Sequence, residues 1–489
     1  MIIFRVDSSA GIGSGHTMRC LTLAQEFKKM GLPCHFVVKE YAGDINHHIL
    51  DQSHTLSTIN NSTPAKCSRE SQEADARSFI EKVNPFAQSI KIIVVDNYQL
   101  DSIWEVRVQN AFKHVKVFVI DDLRRIHKAQ YLLDQTYEIS TSDYNLSNIS
   151  EKLLLGLKYA LIREEFSSHT IQSHNQCRVR VLITMGGTDP NNATLKIAAC
   201  LHENLDLLSY IDEFVFLIPQ SFKYQKKTIA CINKMNQKKF KIEGFVSSMP
   251  SFLNQFTLCI GAAGTSTWER FCVGLPTLLV CIADNQRFIC QILEKHGLAS
   301  VIYDDEFNDI SIKIEELFNA TSSISSEIKK LCDGLGAKRV AREILNMDYI
   351  SLRSTTFDDL DITYAWQAQP ETRKYARNQM SPTFSEHEKW FTSTLSNPNC
   401  LYYIIEYLGI STGMVRLDKI KNNFYEISIL IDPNFYGLGV ASGALKILAD
   451  QNTGKRVRAF IFEQNIASVK TFLKAGFEPL THQWYERIL

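Results

Sequence analysis

The sequence predicts an α/β chain in which two parallel-sheet units are followed by an α+β domain. Three observations carry that expectation. Short, nearly all-apolar strands alternate with helical patterns through the first two thirds of the chain, the signature of parallel sheets covered on both faces. Each of the first two units opens with a strand that runs into a glycine turn, Ile2–Val6 into Gly11-Ile-Gly-Ser-Gly-His16 and Val179–Thr184 into Met185-Gly-Gly-Thr-Asp-Pro190. The texture then changes near residue 348, where strand pairs with few intervening helices begin.

Length and composition set the outer bounds. At 489 residues the chain exceeds one ordinary core, and two to four domains are expected. An apolar content of 45% and a charged content of 22% are those of a globular protein. The 53 Lys and Arg balance the 53 Asp and Glu, so no global field recruits nucleic acid or anionic membrane. The twelve cysteines form no C-x-x-C pair, and most read as small buried hydrophobes in a reducing compartment. No run approaches the ~20 apolar residues of a membrane span, and no secretory signal pattern is visible. A soluble, cytoplasmic protein without stable membrane insertion is therefore expected.

In the first unit the strands are expected at Ile2–Val6, Cys34–Val38, Ile90–Asp96 and Val115–Ile120. Asp96 and Asp121 end two of them, where open α/β sheets bind ligands. Either could equally cap the following turn, and for Asp122 the cap is the better reading. A polar stretch, Ser167 to Gln176, precedes the second set, Val179–Thr184, Phe214–Ile218, Leu258–Ile260 and Thr277–Cys281. Two Rossmann-like domains facing across a cleft follow, at 1–170 and 177–347. The pattern weakens after a helical Ile328–Leu345. In the third domain, 348–489, Asp358–Gln367 reads as a helix, Leu401–Tyr407 with Gly413–Leu417 as a strand pair, and Glu426–Ile431 as a long strand.

The first glycine turn opens onto a helix, since Met18, Leu21, Ala24 and Phe27 recur at helical spacing. Glycines let backbone amides approach a ligand, and a helix N-terminus favours anions. His16 stands at that mouth. A neutral imidazole accepts a proton near pH 7, and the positive end of a helix favours the uncharged ring. A dinucleotide fingerprint would place glycine where His16 stands, which argues against a nicotinamide cofactor although Glu40 ends the second strand. The alternative is a histidine that merely caps a helix.

The second unit carries Gly261-Ala-Ala-Gly-Thr-Ser-Thr-Trp-Glu269, followed by Gly274-Leu-Pro276 and Ala283-Asp-Asn-Gln286. Gly264, Thr265 and Ser266 at a strand-to-helix turn present N–H and O–H donors to a diphosphate. Glu269, four residues after Thr265, shares the face of the turn and suits the two hydroxyls of a ribose. Gly274-Leu-Pro276 reads as a structural turn. Asn285 either caps the next helix or reaches into the cleft.

Spread in order over both units, these motifs resemble the UDP-sugar hydrolases of pseudaminic acid biosynthesis, relatives of GT-B glycosyltransferases. The matching residues are Gly13-x-Gly15-His16-x-x-Arg19, Asp96-x-Tyr98, Ile120-Asp-Asp122, Gly156-x-Lys-Tyr-Ala-Leu-Ile-Arg163-x-x-Phe166, Gly186-Gly-Thr-Asp189, Gly264 to Glu269 and Ala283 to Gln286. The resemblance implies a GT-B arrangement and hydrolysis of UDP-2,4-diacetamido-2,4,6-trideoxy-β-L-altrose by water attack at C1 with inversion. It also implies His16 as the catalytic base, Gly15, Arg19, Asp96 and Tyr98 on the sugar side, and Asn285 at the substrate. Asp96 and Tyr98 would orient the sugar or the histidine. UDP is a competent leaving group, so neither a strong general acid nor a metal is implied.

The C-terminal third is similar to the GNAT superfamily of acetyl-CoA-dependent N-acetyltransferases. Asn434-Phe-Tyr-Gly437-Leu-Gly439-Val-Ala441 keeps the glycines of the superfamily's phosphate turn and departs at its first position. The N–H groups of Leu438, Gly439, Val440 and Ala441 would hold the CoA pyrophosphate before the helix Ala444–Ala449. Asn465-x-x-Ser468 and Lys474-Ala-Gly-Phe477 resemble the closing strand, helix and strand, with Asn465 on the cofactor side. Arg377, His387 and Trp390-Phe391 resemble the substrate side of amino-sugar acetyltransferases. The tyrosine that often protonates the thiolate falls at Phe472, so Tyr436, Tyr485 or water would have to act. Glu426 is either a base for the attacking amine or a cross-strand partner on a solvated face.

Together these resemblances imply a bifunctional enzyme that acetylates a UDP-4-amino-sugar and then releases UDP from the product. UDP-sugar and acetyl-CoA are its expected ligands, and other enzymes of the same sugar pathway its expected partners. The alternatives are a GT-B glycosyltransferase, or a hydrolase whose GNAT domain binds acetyl-CoA without catalysis or acetylates protein.

Overall fold

The structure, a computed structural model, describes all 489 residues except 60–67, 145–148, 168–177, 188, 190, 220–221, 223, 236–237 and 304–305. The expected linker Ser167 to Gln176 falls almost wholly outside the described residues, as do Thr188 and Pro190 of the second unit's first turn. The chain divides into two compact units, Met1–Ile344 and Leu345–Leu489.

Two parallel sheets build the first unit. The first contains β1 (Ile2–Val6), β2 (Cys34–Lys39), β3 (Thr55–Ile59), β4 (Ile92–Asp96), β5 (Lys116–Ile120), β6 (Ala129–Asp134) and β7 (Ile149–Leu155) in the order β3-β2-β1-β4-β5-β6-β7. The second contains β8 (Arg180–Thr184), β9 (Glu213–Leu217), β10 (Phe240–Glu243), β11 (Leu258–Ala262), β12 (Thr277–Val280) and β13 (Ser300–Ile302) in the order β10-β9-β8-β11-β12-β13. In both, strand order reverses beside the first strand, and the crevice outside the strand ends there is where open α/β sheets hold ligands. The central strands are apolar because helices cover both faces, and β1, β2 and β4 are buried along their whole length.

Arg5 in the middle of β1 is a charged exception, and its charge is paired. Its guanidinium pairs with Asp7 at 2.6 Å and with Asp75 at 2.7 Å, and Lys39 and the Trp104 indole N–H join Asp75. Burial alone would raise the Asp75 carboxyl, but the Arg5 charge outweighs it and holds the group down at about 2.

The helical stretch expected at Ile328–Leu345 is two helices, Thr321–Leu331 and Gly336–Leu345, separated by a turn at Gly334. The second returns to the first half of the unit. A Cβ at Gly336 would stand 2.1 Å from the Ala160 carbonyl oxygen, and the Arg339 guanidinium donates to the Lys158 carbonyl at 2.9 Å. The two sheets are thereby joined into one compact body.

The second unit has one mixed sheet of β14 (Ile350–Ser354), β15 (Cys400–Tyr407), β16 (Ile410–Lys421), β17 (Phe424–Ile431), β18 (Arg456–Phe460), β19 (Glu478–Pro479) and β20 (Trp484–Ile488). Its order is β14-β15-β16-β17-β18-β20-β19, and β17 with β18 is its one parallel pair among the described residues. The helix Val440–Gln451 connects those two strands. Helices Leu360–Ala368 and Phe384–Leu395 pack Trp366 and Phe391 onto Tyr402, Ile404 and Met414.

Candidate functional site

The first glycine loop spends its amides on itself. Ser9 Oγ accepts the N–H of Gly11 at 3.2 Å and of Ile12 at 2.9 Å, and the Ser9 carbonyl accepts that of Gly13 at 2.8 Å. The loop thus serves as a rigid lead-in to the helix Gly15–Lys29, and its first three amides are not offered to an anion.

His16 is the second residue of that helix, with its side chain 12% exposed. Its Nδ1 lies 2.6 Å from Oδ1 of Asp96, the last residue of β4. Asp96 is buried and also receives a fork from Arg19, Nε to Oδ2 at 2.6 Å and Nη2 to Oδ1 at 2.7 Å. Arg19 follows His16 by three positions, so one helix face carries both. The third Arg19 nitrogen, Nη1, donates to Asp122 at 3.1 Å, and Asp122 also accepts the Tyr98 hydroxyl. The Tyr98 ring meets the imidazole edge-on, with centroids 4.5 Å apart.

Burial alone would raise the Asp96 carboxyl, but the Arg19 charge, with His16, holds it far below the carboxylate range. An ionised carboxylate can only accept, so Nδ1 carries the proton and a neutral ring keeps its lone pair on Nε2. Among the described residues Nε2 has no hydrogen-bond partner. A carboxylate that fixes the tautomer and an outward Nε2 form the base half of an acid–base site.

This geometry bears on three expectations. Arg19 (4% exposed), expected on the sugar side, and Asp96 (1% exposed), expected to orient either the sugar or the histidine, stand behind the imidazole and position it. Tyr98 likewise braces the ring, and its burial beside Asp122 keeps the hydroxyl protonated far into the alkaline range. Asp122 is not the turn cap. That part is played by Asp121, which accepts the Arg125 N–H at 3.1 Å.

The second half-site faces the first. A Cβ on Gly15 would lie at ordinary contact distance, 3.8 Å, from Thr265 Oγ1, and one on Gly187 would lie 2.9 Å from Ser14 Oγ, so the two loops meet here. The Arg124 guanidinium covers the Phe288 ring at 3.9 Å. β11 runs through exposed Gly264 and half-buried Thr265 into the helix Ser266–Val273. Glu269 accepts from Arg163 Nε at 2.9 Å. Asn285 is exposed on the turn Asp284–Gln286, ahead of the helix Arg287–Lys295. Asp189, from the partly described turn after β8, caps the helix Ala193–Glu203 through the N–H groups of Ala193 and Thr194.

In the second unit a cavity of about 1150 Å³ lies along β17 and β18. Gly439 is the cap residue of the helix Val440–Gln451 and has φ 76°, a left-handed conformation that favours glycine. Gly439, Val440, Ala441 and Asn465 line the cavity, whereas Leu438 is exposed beside it. The turn presents N–H groups at a helix start, the donor set that a pyrophosphate requires. Asn465 also caps the helix Ile466–Lys474 by accepting the Ser468 N–H at 3.2 Å. Phe472 lines the same cavity and offers no proton. Of the two replacement tyrosines, Tyr436 lines the cavity, and Tyr485 is buried in β20 outside the cavity lining.

Glu426 sits between two arginines. Arg377 pairs with Oε1 at 2.7 Å, and Arg458, its parallel-register neighbour on β18, pairs with Oε2 at 3.0 Å. Arg377 rests on Phe460 at 4.4 Å and on Trp484 at 5.3 Å. Sequence reasoning singled out Glu426 and Arg377 separately and missed Arg458, because only strand register brings them together. Of the other residues on the expected substrate side, Trp390 and the mostly buried His387 line the cavity, and Phe391 is buried outside its lining.

Comparison with known proteins agrees with this division. Residues 350–478 match the acetyltransferase (GNAT) domain family. An uncharacterized protein of Methanocaldococcus jannaschii is 24% identical over 497 aligned positions, covering 96% of this chain and 95% of that protein. The UDP-2,4-diacetamido-2,4,6-trideoxy-beta-L-altropyranose hydrolase of Campylobacter jejuni is 26% identical over 200 residues, covering 40% of this chain and 64% of that enzyme. MurG of Acinetobacter baumannii has the same fold over 71% of this chain and 99% of its own, with a TM-score of 0.50 and 12% identity. The chain therefore combines a GT-B-like pair of Rossmann-like sheets with a GNAT domain, whose cosubstrate is acetyl-CoA. No helix among the described residues is long and apolar enough to cross a membrane.

Proposed function

We propose that the chain performs two consecutive steps on one sugar nucleotide. The GNAT domain N-acetylates a UDP-4-amino-sugar, and the first unit hydrolyses the resulting UDP-2,4-diacetamido-2,4,6-trideoxy-β-L-altrose to UDP and free sugar with inversion. The observation that carries the hydrolytic half is the Asp96–His16 pair aimed across the cleft from the Gly264–Glu269 turn.

In the first unit Asp96 holds Nδ1–H, and Nε2 removes a proton from water as the water oxygen bonds to C1. The bond from C1 to the diphosphate oxygen breaks on the opposite face, and the electron pair leaves with UDP. The N-terminus of the helix Ser266–Val273, with Thr265 and Ser266, receives that charge. Glu269, steadied by Arg163, is placed for the ribose hydroxyls, and Asn285 for the sugar.

In the second unit Leu438 to Ala441 and Asn465 hold the cosubstrate. Acetyl-CoA supplies the acyl thioester when bound. Glu426 orients Arg377 beside the acceptor. The acceptor amine gives up a proton to water as its nitrogen bonds to the acetyl carbon and the C–S bond breaks. Tyr436, which lines the cavity, protonates the departing thiolate.

The test is mass spectrometry of products from a UDP-4-amino-sugar with acetyl-CoA and no glycosyl acceptor. Wild type yields UDP and the diacetamido sugar in equal amounts. His16→Ala accumulates the acetylated UDP-sugar, and a Gly439 substitution blocks its formation. Free-sugar release by His16→Ala at the wild-type rate would overturn the assignment of the base. UDP release only on addition of an acceptor would favour a glycosyltransferase.

A further inference from the structure

Two arginines stand among the largest fully buried side chains, and the fold treats them oppositely. Arg5 has Asp7 and Asp75 against it. Arg270, on the helix Ser266–Val273 and 1% exposed, forms no ion pair with any described carboxylate. The neighbouring Glu269 carboxylate is taken by Arg163 instead.

The Arg270 guanidinium packs against the ends of β8 and β11, where strand order reverses. A Cβ on Gly261 of β11 would stand 2.9 Å from its Nη1, 3.1 Å from its Cζ and 3.1 Å from the Thr184 carbonyl oxygen of β8. A side chain at 261 would therefore crowd both the guanidinium and the β8 backbone. Nη2 donates to the Ala262 carbonyl at 2.9 Å and to Thr267 Oγ1 at 3.0 Å, and Nη1 donates to Ser266 Oγ at 3.2 Å. Nε is buried without a partner among the described residues. Burial pushes the guanidinium below its ordinary range, a direction opposite to that of Arg5. An uncompensated buried charge is costly, because no counter-charge offsets its lost hydration.

We infer that Arg270 is a positioning residue that matches the charge of an anionic ligand. It holds the Ser266 hydroxyl at the start of the helix and supplies, from beneath the turn, the positive charge that a diphosphate completes. The inference rests on the proposed nucleotide site and adds the group that makes this site selective for diphosphate over less charged ligands. The hydrogen-bond partners of Arg270 are neutral hydroxyl and carbonyl groups, and the nearby Glu269 charge does not outweigh its burial, so ligand charge and Arg270 are coupled in a low-dielectric setting.

Calorimetric titration of the full chain with uridine, UMP, UDP and inorganic pyrophosphate tests this. Arg270→Met is expected to weaken UDP and pyrophosphate about 10- to 100-fold, UMP less, and uridine within about threefold. Arg270→Lys, which keeps the charge, restores most of the preference for UDP over uridine. Ser266→Ala also weakens UDP more than uridine, and it keeps the comparison available should Arg270→Met not fold. In hydrolysis Arg270→Lys raises KM for the UDP-sugar more than it lowers kcat. Equal weakening of all four ligands in the Arg270 variants would mean a merely structural role and overturn the inference. Wild type that binds pyrophosphate but not UDP would overturn the uridine-nucleotide reading, and loss of pyrophosphate binding in Arg270→Met would still support the inference.

Discussion

His16 Nδ1 and Asp96 Oδ1 are 2.6 Å apart, which joins the start of a helix to the end of a buried strand eighty residues away. Asp96 is held by the Arg19 fork, so the imidazole has one orientation available to it. Asp96→Asn is expected to lower kcat for UDP-sugar hydrolysis about 10²- to 10⁴-fold, with KM nearly unchanged, because an amide no longer enforces the tautomer. Steady-state kinetics with purified UDP-sugar measures it. A rise in KM at constant kcat would place Asp96 in substrate binding instead.

His127 is buried between two carboxylates, with Nδ1 donating to Glu105 Oε1 at 2.6 Å and Nε2 at 3.3 Å from Asp121 Oδ2. Burial opposes the charged ring, but Asp121 and Glu105 outweigh it and raise the group from 6.5 to about 9. A raised folded-state value stabilises fully below about 6.5 and is lost as pH climbs through about 9. The stability difference between wild type and His127→Gln should therefore shrink across that window by at most ~3 kcal/mol. Chemical denaturation at pH 6, 8 and 10 reads it, and a constant difference would mean a neutral ring.

Glu426, with an arginine on each carboxylate oxygen, is already engaged as an acceptor. Glu426→Gln is expected to raise the acceptor KM about tenfold and to change kcat by less than about threefold, since it loosens Arg377. A fall in kcat of about 10²-fold or more, with loss of the acidic limb of the pH profile, would identify it as the base after all.

Gly439→Val puts a branched side chain at φ 76° and should abolish protection of the GNAT domain by acetyl-CoA in thermal melts. Hydrolysis of the preformed diacetamido UDP-sugar should stay within about twofold of wild type, because the substitution touches only the turn before the helix Val440–Gln451. Coupled loss of both activities would show that the two units work as one.

In the first unit the central strands other than β6 were legible and the edge strands were not. β1, β2, β4, β5, β8, β9, β11 and β12 lie inside their sheets and read as apolar runs. β3 (TLSTI) and β10 (FKIE) lie at edges, where one flank is open, so their sequences mix polar with apolar residues and resemble loops. β7 and the three-residue β13 are the other two edges, and β6 beside β7 also went unread.

The sequence by itself determined the alternation of strand and helix, the glycine turns at the strand ends, and the placement of His16 at a helix start. Those are local properties, set by periodicity and by the conformations that glycine allows. Tertiary structure decided which charges meet. It drew Asp96 and Arg19 behind His16, gave Arg163 to Glu269 and Arg458 to Glu426, and left Arg270 Nε without a partner among the described residues. Partners eighty or a hundred residues apart are chosen by sheet order and register. The cost of burying a charge then decides which contacts the fold keeps.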